Sequence, residues 1–413
     1  KISVTMGLAP CEWGGRKLNA IDTPGYTDFL GEVKSAVWAA DAALVGVDAV
    51  SGVEVGTEQV WAAAQERGVP RLVFVNKMDR ENAAPERVVQ QLEEIFGARV
   101  VEVQLPMGKE SAFQGVVDLL TKKAYLKQGE APVAVPADMA AAVDEAYTKM
   151  LELAAEGEDA LIEKYLEEGE LSDAEVLQGL RSGVRKGQVV PVFYGAATPN
   201  VGVRALMDGL FALAPHPGEL PAMVIDPASG EQRPLEAASD GPLAALVFKT
   251  VADPYVGKLS YFRVFSGTLE SDSRVHNSRT QSEERIGQLL TIRGKEQLPT
   301  DGFGTGDMGA VTKLSATATG DTLCERGHPV SFPTPTYPYR PYTVSVSPKT
   351  KADSAKISVG LARLVEEDPS LEWHQEPSTR QIILSGMGDV HIDVAVRRLN
   401  ERLGVGVVTE IPK

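Results

Sequence analysis

The sequence has few cysteines, no long apolar run and no excess of basic over acidic residues. The 413 residues include two cysteines, Cys11 and Cys324, which is too few for a disulfide framework or a cysteine metal site. Free thiols fit a reducing compartment, so a cytoplasmic protein is expected. No apolar run reaches the ~18 residues that a membrane-spanning helix needs, and no membrane partner is expected.

Charge and residue spacing exclude further classes of function. Lysine and arginine number 41 against 57 acidic residues, and the net charge of −16 does not draw the chain onto nucleic acid. Any contact with RNA has to be local, or has to pass through a basic partner protein. The five histidines show no metal-ligand spacing, so no transition-metal site is expected. The sequence also lacks the G-x-S-x-G elbow of serine hydrolases.

What is present is a chain long enough for about two to four domains of ~100–200 residues each. Its 43% hydrophobic and 24% charged residues are ordinary for globular protein. The N-terminal region alternates strand and helix patterns, which favours a parallel sheet with helices on both faces. The predicted strands are residues 18–21, 42–47 and 71–75, the last two buried on both faces, and the predicted helices are residues 28–40 and 53–67.

The composition becomes strongly acidic over residues 138–175. This stretch holds 13 acidic residues against two lysines, and its apolar residues recur at helical spacing. Ser172 and Glu175 fit a capping box that opens another helix. We interpret residues 103–188, approximately, as a helical insert. Its acidic face is either a solvated surface or a docking face for a basic or mobile partner.

Beyond the insert, a buried strand is predicted at residues 189–194, followed by the small residues Gly195-Ala196-Ala197 and a helix at residues 201–213. Residues 215–241 are rich in proline and glycine and predict a linker.

The last part of the chain is β-rich from residue 242, with frequent turns as in a small barrel. After a proline-rich joint, a strand–helix–strand–helix–strand order predicts a small α+β sandwich. The sequence thus predicts a multi-domain protein: an α/β domain with a helical insert, then a β-barrel domain, then an α+β domain. The predicted domains are residues 1–240, 241–330 and 341–413.

The first motif that carries chemistry is Asp22-Thr23-Pro24-Gly25, directly after a predicted strand. In GTPases a carboxylate at this place accepts a hydrogen bond from a water on Mg²⁺, a cation that keeps several waters. A glycine N–H can approach the terminal phosphate because no Cβ intervenes. Taken alone, the four residues are an ordinary turn.

The second motif is Asn76-Lys77-Met78-Asp79, also directly after a strand. A carboxylate accepts two hydrogen bonds from the N1–H and 2-amino groups of guanine, which adenine does not offer in that arrangement. Asn76 and the stem of Lys77 shape the rest of the pocket. A base without the donor pair is rejected, because the buried carboxylate stays unpaired.

Together, in this order and 54 residues apart, the two motifs indicate a GTP-binding site, and they predict that the α/β domain is of the P-loop GTPase type. The loop Gly195-Ala196-Ala197 is expected to close over the base. No G-x-x-x-x-G-K-[ST] pattern occurs among the 413 residues. That loop supplies the N–H groups and the lysine that hold the β- and γ-phosphates. We therefore expect a polypeptide limited to these residues to bind GTP too weakly to turn it over.

The motifs and their flanking runs resemble translation elongation factor G, and the similarity covers nearly the whole chain. The stretches that carry it are residues 22–29, 52–54, 76–80, 105–108, 115–118, 252–257, 265–269, 348–353 and 385–391.

The resemblance implies ribosome binding and GTP-dependent translocation of tRNA and mRNA by a monomeric factor, with GTP or GDP and Mg²⁺ as ligands. Mg²⁺ would be held by Asp22 through water. It implies that the helical insert contacts ribosomal stalk proteins. It also implies a phosphate loop before the first residue and further domains after the last.

One departure from the family concerns mechanism. Elongation factor G carries histidine directly after Asp-Thr-Pro-Gly, where it positions the attacking water, and here that residue is Tyr26. A phenol with a pKa near ~10 is a poor proton acceptor at neutral pH. It can still orient a water, which is much of what phosphoryl transfer asks of the protein. Tyr26, with Gly25, is therefore the candidate catalytic residue of an elongation-factor-G-like paralogue with slower hydrolysis.

Two alternatives stay open. One is a ribosomal-protection or release-factor-type translational GTPase, which shares the GTPase and barrel domains. The other is a ribosome-binding fragment without GTP turnover.

Overall fold

A computed structural model of the chain describes residues 2–126, 131–253 and 256–413. These residues form two compact units. The first unit contains the chain up to Ala39 together with Pro221–Lys413, and the second unit is Ala40–Leu220. The sequence predicts one domain over residues 1–240, whereas in this division the residues up to Ala39 group with the C-terminal part. Within the described ranges, no helix is both long and apolar enough to cross a membrane.

The N-terminal part of the first unit is a hairpin followed by a helix. Strands β1 (Gly7–Trp13) and β2 (Arg16–Asp22) pair antiparallel. The turn between them uses Gly14 and Gly15 at φ 54° and 73°, as a two-residue hairpin turn requires. A short 3-10 turn then leads into α1 (Leu30–Trp38). The predicted strand at residues 18–21 and helix at residues 28–40 are confirmed. However, β2 pairs with β1 in a two-stranded sheet and not in a parallel one.

The second unit is built on a parallel sheet whose strand order is β3-β4-β9-β5. Three further strands form an antiparallel sheet in the order β6-β7-β8. The strands are β3 (Ala43–Asp48), β4 (Arg71–Asn76), β5 (Val100–Glu102), β6 (Gln104–Met107), β7 (Gly115–Asp118), β8 (Lys123–Tyr125) and β9 (Val190–Tyr194). The helices are α2 (Val55–Arg67), α3 (Pro85–Phe96), α4 (Ala140–Ala155), α5 (Asp159–Glu168), α6 (Asp173–Arg185) and α7 (Val203–Leu213).

Burial differs between the two predicted core strands of this sheet. In β4 every residue from Leu72 to Val75 is buried, because Leu72 and Phe74 join one core cluster while Val73 and Val75 join another on the opposite face. In β3, Val45 and Val47 are buried, but Leu44 is 43% exposed. The prediction that residues 42–47 are buried on both faces is therefore wrong. β3 is an edge strand, and within the second unit one of its faces is uncovered.

The predicted insert at residues 103–188 is helical only in part. Its first part, residues 104–125, holds the antiparallel strands β6, β7 and β8. The acidic stretch at residues 138–175 is helical, as predicted, and contributes to α4, α5 and α6. Its apolar side chains join the same core as part of the parallel sheet, including Met150, Leu161 and Leu180. The predicted capping box is confirmed at the start of α6. The Glu175 N–H donates to Ser172 Oγ, and the Ser172 N–H donates to the Glu175 carboxylate at 2.8 Å.

The rest of the first unit begins with a hairpin of β10 (Ala222–Ile225) and β11 (Gln232–Leu235). The prediction of a linker over residues 215–241 is wrong in this respect. An eight-stranded antiparallel sheet follows, with the order β16-β15-β21-β12-β13-β20-β17-β18, and β14 pairs with β19. Its strands are β12 (Ala244–Asp253), β13 (Gly257–Ser266), β14 (Leu269–Glu270), β15 (Arg274–Asn277), β16 (Ser282–Arg285), β17 (Leu289–Arg293), β18 (Glu296–Thr300), β19 (Gly302–Phe303), β20 (Met308–Thr312) and β21 (Thr322–Cys324). Pro254 and Tyr255, which belong to one of the stretches that resemble elongation factor G, lie outside the described residues.

The last module pairs four strands in the order β23-β24-β22-β25. Helices α9 and α10 pack their apolar faces on this sheet. The elements are β22 (Tyr342–Pro348), α8 (Lys351–Ser354), α9 (Ile357–Glu367), β23 (Glu372–Gln375), β24 (Ile382–Gly386), α10 (Asp389–Glu401) and β25 (Val407–Glu410). The α+β prediction missed β23, which is short and mostly exposed and lacks an alternating pattern.

Candidate functional site

Three loops of the second unit start at the same edge of its parallel sheet. Asp48 ends β3 and Asn76 ends β4, and these two residues are paired in register. Gly195 follows directly after Tyr194, the last residue of β9, which is paired with Val75. The carboxyl ends of parallel strands are where open α/β sheets bind their ligands. The second motif therefore lies where a ligand site is expected.

Asn76 joins two of these loops. Its Oδ1 accepts hydrogen bonds from the Lys77 N–H at 2.8 Å and from the Ala197 N–H at 2.9 Å. The Met78 N–H donates to the Gly195 carbonyl at 3.2 Å, and the Met78 side chain is fully buried. Lys77 takes φ 63°, a left-handed conformation that costs a non-glycine residue free energy unless its surroundings hold it. The loop is thus fixed by its own contacts.

The loop of Gly195, Ala196 and Ala197 is equally constrained. A Cβ on Gly195 would lie 2.8 Å from the Phe74 ring and 2.8 Å from the Val201 carbonyl oxygen, so a larger residue does not fit. Ala196 and Val201 exchange backbone hydrogen bonds of 2.9 and 3.0 Å. Ala196 is buried, whereas Ala197 is exposed. Small residues are therefore required by packing on one side of the loop and leave room on the other.

Asp79 is partly buried, and its carboxylate has no hydrogen-bond partner among the described residues. A carboxylate held on a rigid loop with both oxygens open can accept two parallel N–H donors. The N1–H and 2-amino groups of guanine are such a pair. The residues of this loop therefore fit a guanine base.

The structure adds Asp48, which the sequence predictions missed. Its carboxylate accepts a hydrogen bond from Lys77 Nζ at 2.5 Å and from the Val50 N–H at 2.8 Å. Partial burial raises the pKa of Asp48, but the hydrogen bonds from Lys77 and Val50 outweigh burial and lower it. Asp48 thus holds the lysine of the motif while it caps its own loop. Its place at the end of the strand before β4 was the signal that could have revealed it.

The first motif, residues 22–25, belongs to the first unit, together with Tyr26. Asp22 ends β2, is exposed and has no hydrogen-bond partner among the described residues. Pro24 is buried and fixes the turn, and nothing lies within 4 Å of a Cβ placed on Gly25. Tyr26 is 44% exposed, and its ring centroid lies 6.4 Å from that of Phe29. An open carboxylate oxygen of this kind suits the hydration shell of Mg²⁺.

Thr23 is partly buried within the same turn. Among the described residues, no group of three or more His, Cys, Asp or Glu side chains is placed to hold a metal ion.

The 3-10 turn Thr27–Phe29, which joins Tyr26 to α1, is tied to the last module of the first unit. Asp28 Oδ2 accepts a hydrogen bond from the His391 N–H at 3.1 Å, at the start of α10. The Phe29 ring meets the His391 ring edge-on, with centroids 5.7 Å apart. His391 Nε2 lies 2.9 Å from Asp368 Oδ2, and both side chains are buried.

Helix α1 itself is tied to the eight-stranded sheet. Glu32 and Lys249 form a buried ion pair in which Nζ lies 2.5 Å from both carboxylate oxygens. Glu32 also accepts the Met6 N–H at 2.8 Å. At the end of the helix, the Ala39 carbonyl accepts a hydrogen bond from the buried guanidinium of Arg263 at 2.8 Å. The residues after the Tyr26 turn are thus anchored at both ends of α1.

The architecture and loops define a class of protein: an α/β domain of the GTPase type followed by a β-rich module and an α+β module. Comparison with known families agrees. The family described as elongation factor Tu GTP binding domain matches residues 1–216, elongation factor G domain 2 matches residues 242–326, and elongation factor G domain III matches residues 332–411. The chain therefore belongs to the translational GTPase family, with domains of the elongation factor G type.

One solved structure that is similar to the chain is a crystal structure of a protein from Thermus thermophilus. It aligns with a TM-score of 0.88 at 31% sequence identity. The match covers the whole of this chain and 60% of the other. The chain thus spans less than two thirds of the length of that protein.

Proposed function

We propose that this protein is a GTPase that acts on the ribosome and couples GTP hydrolysis to the movement of tRNA and mRNA, as its resemblance to elongation factor G implies. The observation that supports the proposal most directly is the unpartnered carboxylate of Asp79, on a loop fixed by Asn76 and Ala197. Such a carboxylate accepts the donor pair of guanine and rejects adenine.

The base side of the proposed site uses residues of the second unit. Asp79 accepts the two base donors, and Asn76 holds the loops together. The stem of Lys77 covers the base, with its ammonium group held by Asp48. Gly195, Ala196 and Ala197 line the opposite side, where their small size leaves room for the base.

The phosphate side uses residues 22–26 of the first unit. Asp22 would hold Mg²⁺ through a water, in the turn that Thr23 and Pro24 shape. Mg²⁺, when bound, neutralises charge on the phosphate oxygens. The Gly25 N–H would donate to the terminal phosphate, and the Tyr26 hydroxyl would orient the attacking water.

Substitution of Asp79 by asparagine in the intact protein tests the base assignment. Asparagine offers one acceptor and one donor, so it pairs with the N1–H and 2-oxo groups of xanthine. We expect GDP affinity to fall at least about 100-fold, since each hydrogen bond to a charged group contributes about 1.5–3 kcal/mol, while XDP affinity rises. Fluorescence competition with both nucleotides measures this. Asp301→Asn, an exposed loop substitution, is the matched control. Unchanged GDP binding by Asp79→Asn would refute the assignment.

Tyr26 is tested by single-turnover GTP hydrolysis on ribosomes. Histidine at this position can take up a proton near neutral pH, so Tyr26→His should hydrolyse GTP faster than the natural protein. Tyr26→Phe keeps the ring, lacks the hydroxyl and should be slower. A Tyr26→His rate that is unchanged or lower would remove the proposed role. Equal rates for Tyr26→Phe and the natural protein would show that the hydroxyl orients nothing.

The acidic insert is proposed to contact ribosomal stalk proteins. Glu163, Glu167 and Glu168 are exposed along α5, while Lys164 pairs with Glu168 at 3.7 Å and with Glu175 at 2.8 Å. Charge reversal at the three glutamates should weaken ribosome-stimulated turnover, with basal GTP hydrolysis as the internal control. Unchanged stimulation would count against this partner.

The alternative functions predict different results when GTP turnover and ribosome movement are measured together. A translocase moves the mRNA by one codon per GTP, which a toeprint of the ribosome position detects. A ribosomal-protection or release-factor-type GTPase turns over GTP on ribosomes without that movement. A ribosome-binding fragment binds without turnover.

A further inference from the structure

The second unit contains a half-open cavity of about 310 Å³, formed by one face of α6 and the end of α7. Its α6 lining residues recur every three or four positions, so they lie on one side of that helix. Leu213 and Pro215 form the opposite wall. The full lining is Glu158, Ala174, Leu177, Gln178, Arg181, Ser182, Arg185, Leu213, Pro215 and Glu219. None of these residues belongs to the proposed nucleotide site.

Two polar groups in this cavity lack a partner. The Ser182 hydroxyl is 4% exposed at the residue level and makes no hydrogen bond. A buried hydroxyl without a partner costs on the order of 1–3 kcal/mol, so its retention calls for an explanation. Arg185 lies one turn further along the same face. Its side chain is exposed, and its guanidinium makes no hydrogen bond or ion pair with the described residues.

The other charged groups of the cavity are already engaged. Arg181 donates to the Glu219 carboxylate at 2.8 Å, and Gln178 donates to the Glu158 carboxylate at 2.7 Å. Gln178 precedes Arg185 by two helical turns, which is about 10 Å along the axis. Glu158 and Glu219 are thus both hydrogen-bonded within the cavity, and neither forms an ion pair with Arg185. The Arg185 end of the cavity thus offers one exposed cation that no described residue binds and one buried hydroxyl without a hydrogen bond.

We propose that this cavity binds a small organic anion, a carboxylate or a phosphate ester, with its charged group at Arg185 and Ser182. The apolar part of the ligand lies between Leu177, Leu213 and Pro215. The volume is at the lower end of small-molecule sites, so the ligand has the size of a substituted aromatic ring or an amino acid. A planar guanidinium pairs with carboxylate or phosphate through two parallel hydrogen bonds.

The test uses phenyl phosphate, inorganic phosphate and benzyl alcohol as probes of the purified protein by isothermal titration calorimetry. Phenyl phosphate should bind with a measurable saturable isotherm. Inorganic phosphate lacks the apolar part of the proposed ligand and benzyl alcohol lacks its charged group, so each should bind at least tenfold more weakly. Equal binding of all three, or no binding of phenyl phosphate at ~10 mM, would overturn the proposal.

Two variants locate the site. Arg185→Gln should weaken phenyl phosphate binding at least tenfold, and Ser182→Ala about three- to tenfold. Lys123→Gln, the same change of charge at an exposed strand residue of the second unit, should leave binding unchanged. Ser182→Ala removes an unpartnered hydroxyl, so its unfolding midpoint should equal or exceed that of the natural protein, and this separates lost binding from lost folding. If neither variant weakens binding, the ligand does not occupy this cavity and the proposal is wrong.

Discussion

The two motifs that are proposed to bind the nucleotide are built in opposite ways. The loop after β4 is held by its own contacts, because Met78 is fully buried and Asn76 bonds to Ala197. In the turn at residues 22–26, the side chains of Asp22 and Tyr26 are exposed. The anchors of that turn lie outside it, in the β1–β2 hairpin before it and in α1 after it.

This difference matches two different tasks. A loop that tells one base from another must keep an unpaired acceptor in a fixed position, since discrimination depends on leaving it unsatisfied with the wrong base. A segment that responds to a phosphate group needs freedom to rearrange between fixed ends. A base-specific loop thus needs hydrogen bonds within the loop, whereas a turn that rearranges needs fixed elements on both sides of it.

The largest expected effect comes from breaking an anchor of α1. Lys249→Met leaves the Glu32 carboxylate buried without its cation, and such a loss is strongly destabilising, by about 3–5 kcal/mol. Urea-induced unfolding followed by circular dichroism measures it. If the variant loses less than about 1 kcal/mol, the ion pair does not anchor α1, and the turn at residues 22–26 does not depend on that helix for its position.

A double variant is the control for this experiment. Adding Glu32→Gln to Lys249→Met removes the buried charge but keeps a carbonyl that can accept the Met6 N–H. We expect the double variant to recover most of the lost stability. A double variant as unstable as Lys249→Met would mean that packing of the lysine stem, and not charge, supports the helix.

The contact that His391 makes with Asp28 and Phe29 is expected to weaken in acid, because His391 is held by the buried carboxyl group of Asp368. Burial raises the pKa of Asp368, but the hydrogen bond and charge of His391, with a hydrogen bond from Ser370, lower it well below its ordinary value. A carboxyl group with a lowered pKa in the folded state contributes stability above its unfolded pKa of ~3.9, and loses it as pH falls toward the folded value. A tenfold change in proton affinity is about 1.4 kcal/mol, so a loss on the order of 2 kcal/mol is expected below pH ~4.

The control for this prediction is Asp368→Asn, which has no charge to lose. The stability difference between the natural protein and this variant should be fully present above pH ~5 and should shrink as pH falls through ~4. Urea midpoints at a series of pH values give the difference directly. A difference that does not depend on pH would show that the charge of Asp368 is not what stabilises this contact.

The sequence was sufficient where structure depends on neighbouring residues. The ends of β2 and β4, the capping box at Ser172 and the helices of the acidic stretch at residues 138–175 all follow from local patterns, and the structure confirms them. Each of these features needs contacts over only a few positions. Local chemistry is enough to specify them.

The sequence was insufficient where structure depends on distant pairing. The partner of Glu32 is 217 positions away, and nothing in the pattern around either residue identifies the pair. The β10–β11 hairpin lies in a stretch rich in proline and glycine, where period-2 alternation is weak. The exposure of Leu44 depends on whether another layer covers that face of β3, and the residues of the strand alone do not determine this.

The smallest expected effect concerns Asp48, which the structure alone revealed. Asp48→Asn keeps an oxygen to cap the Val50 N–H but removes the charge that holds Lys77. Lys77 is largely exposed, so the pair should contribute at most about 1 kcal/mol to folding, and GDP affinity should fall about two- to fivefold. Preference for guanine over xanthine should not change, because Asp79 is untouched, and this separates a positioning residue from a base-reading one. Nucleotide competition on the variant measures both quantities. GDP binding equal to that of the natural protein would mean that the backbone conformation of Lys77, with the hydrogen bond to Asn76, positions its side chain without Asp48.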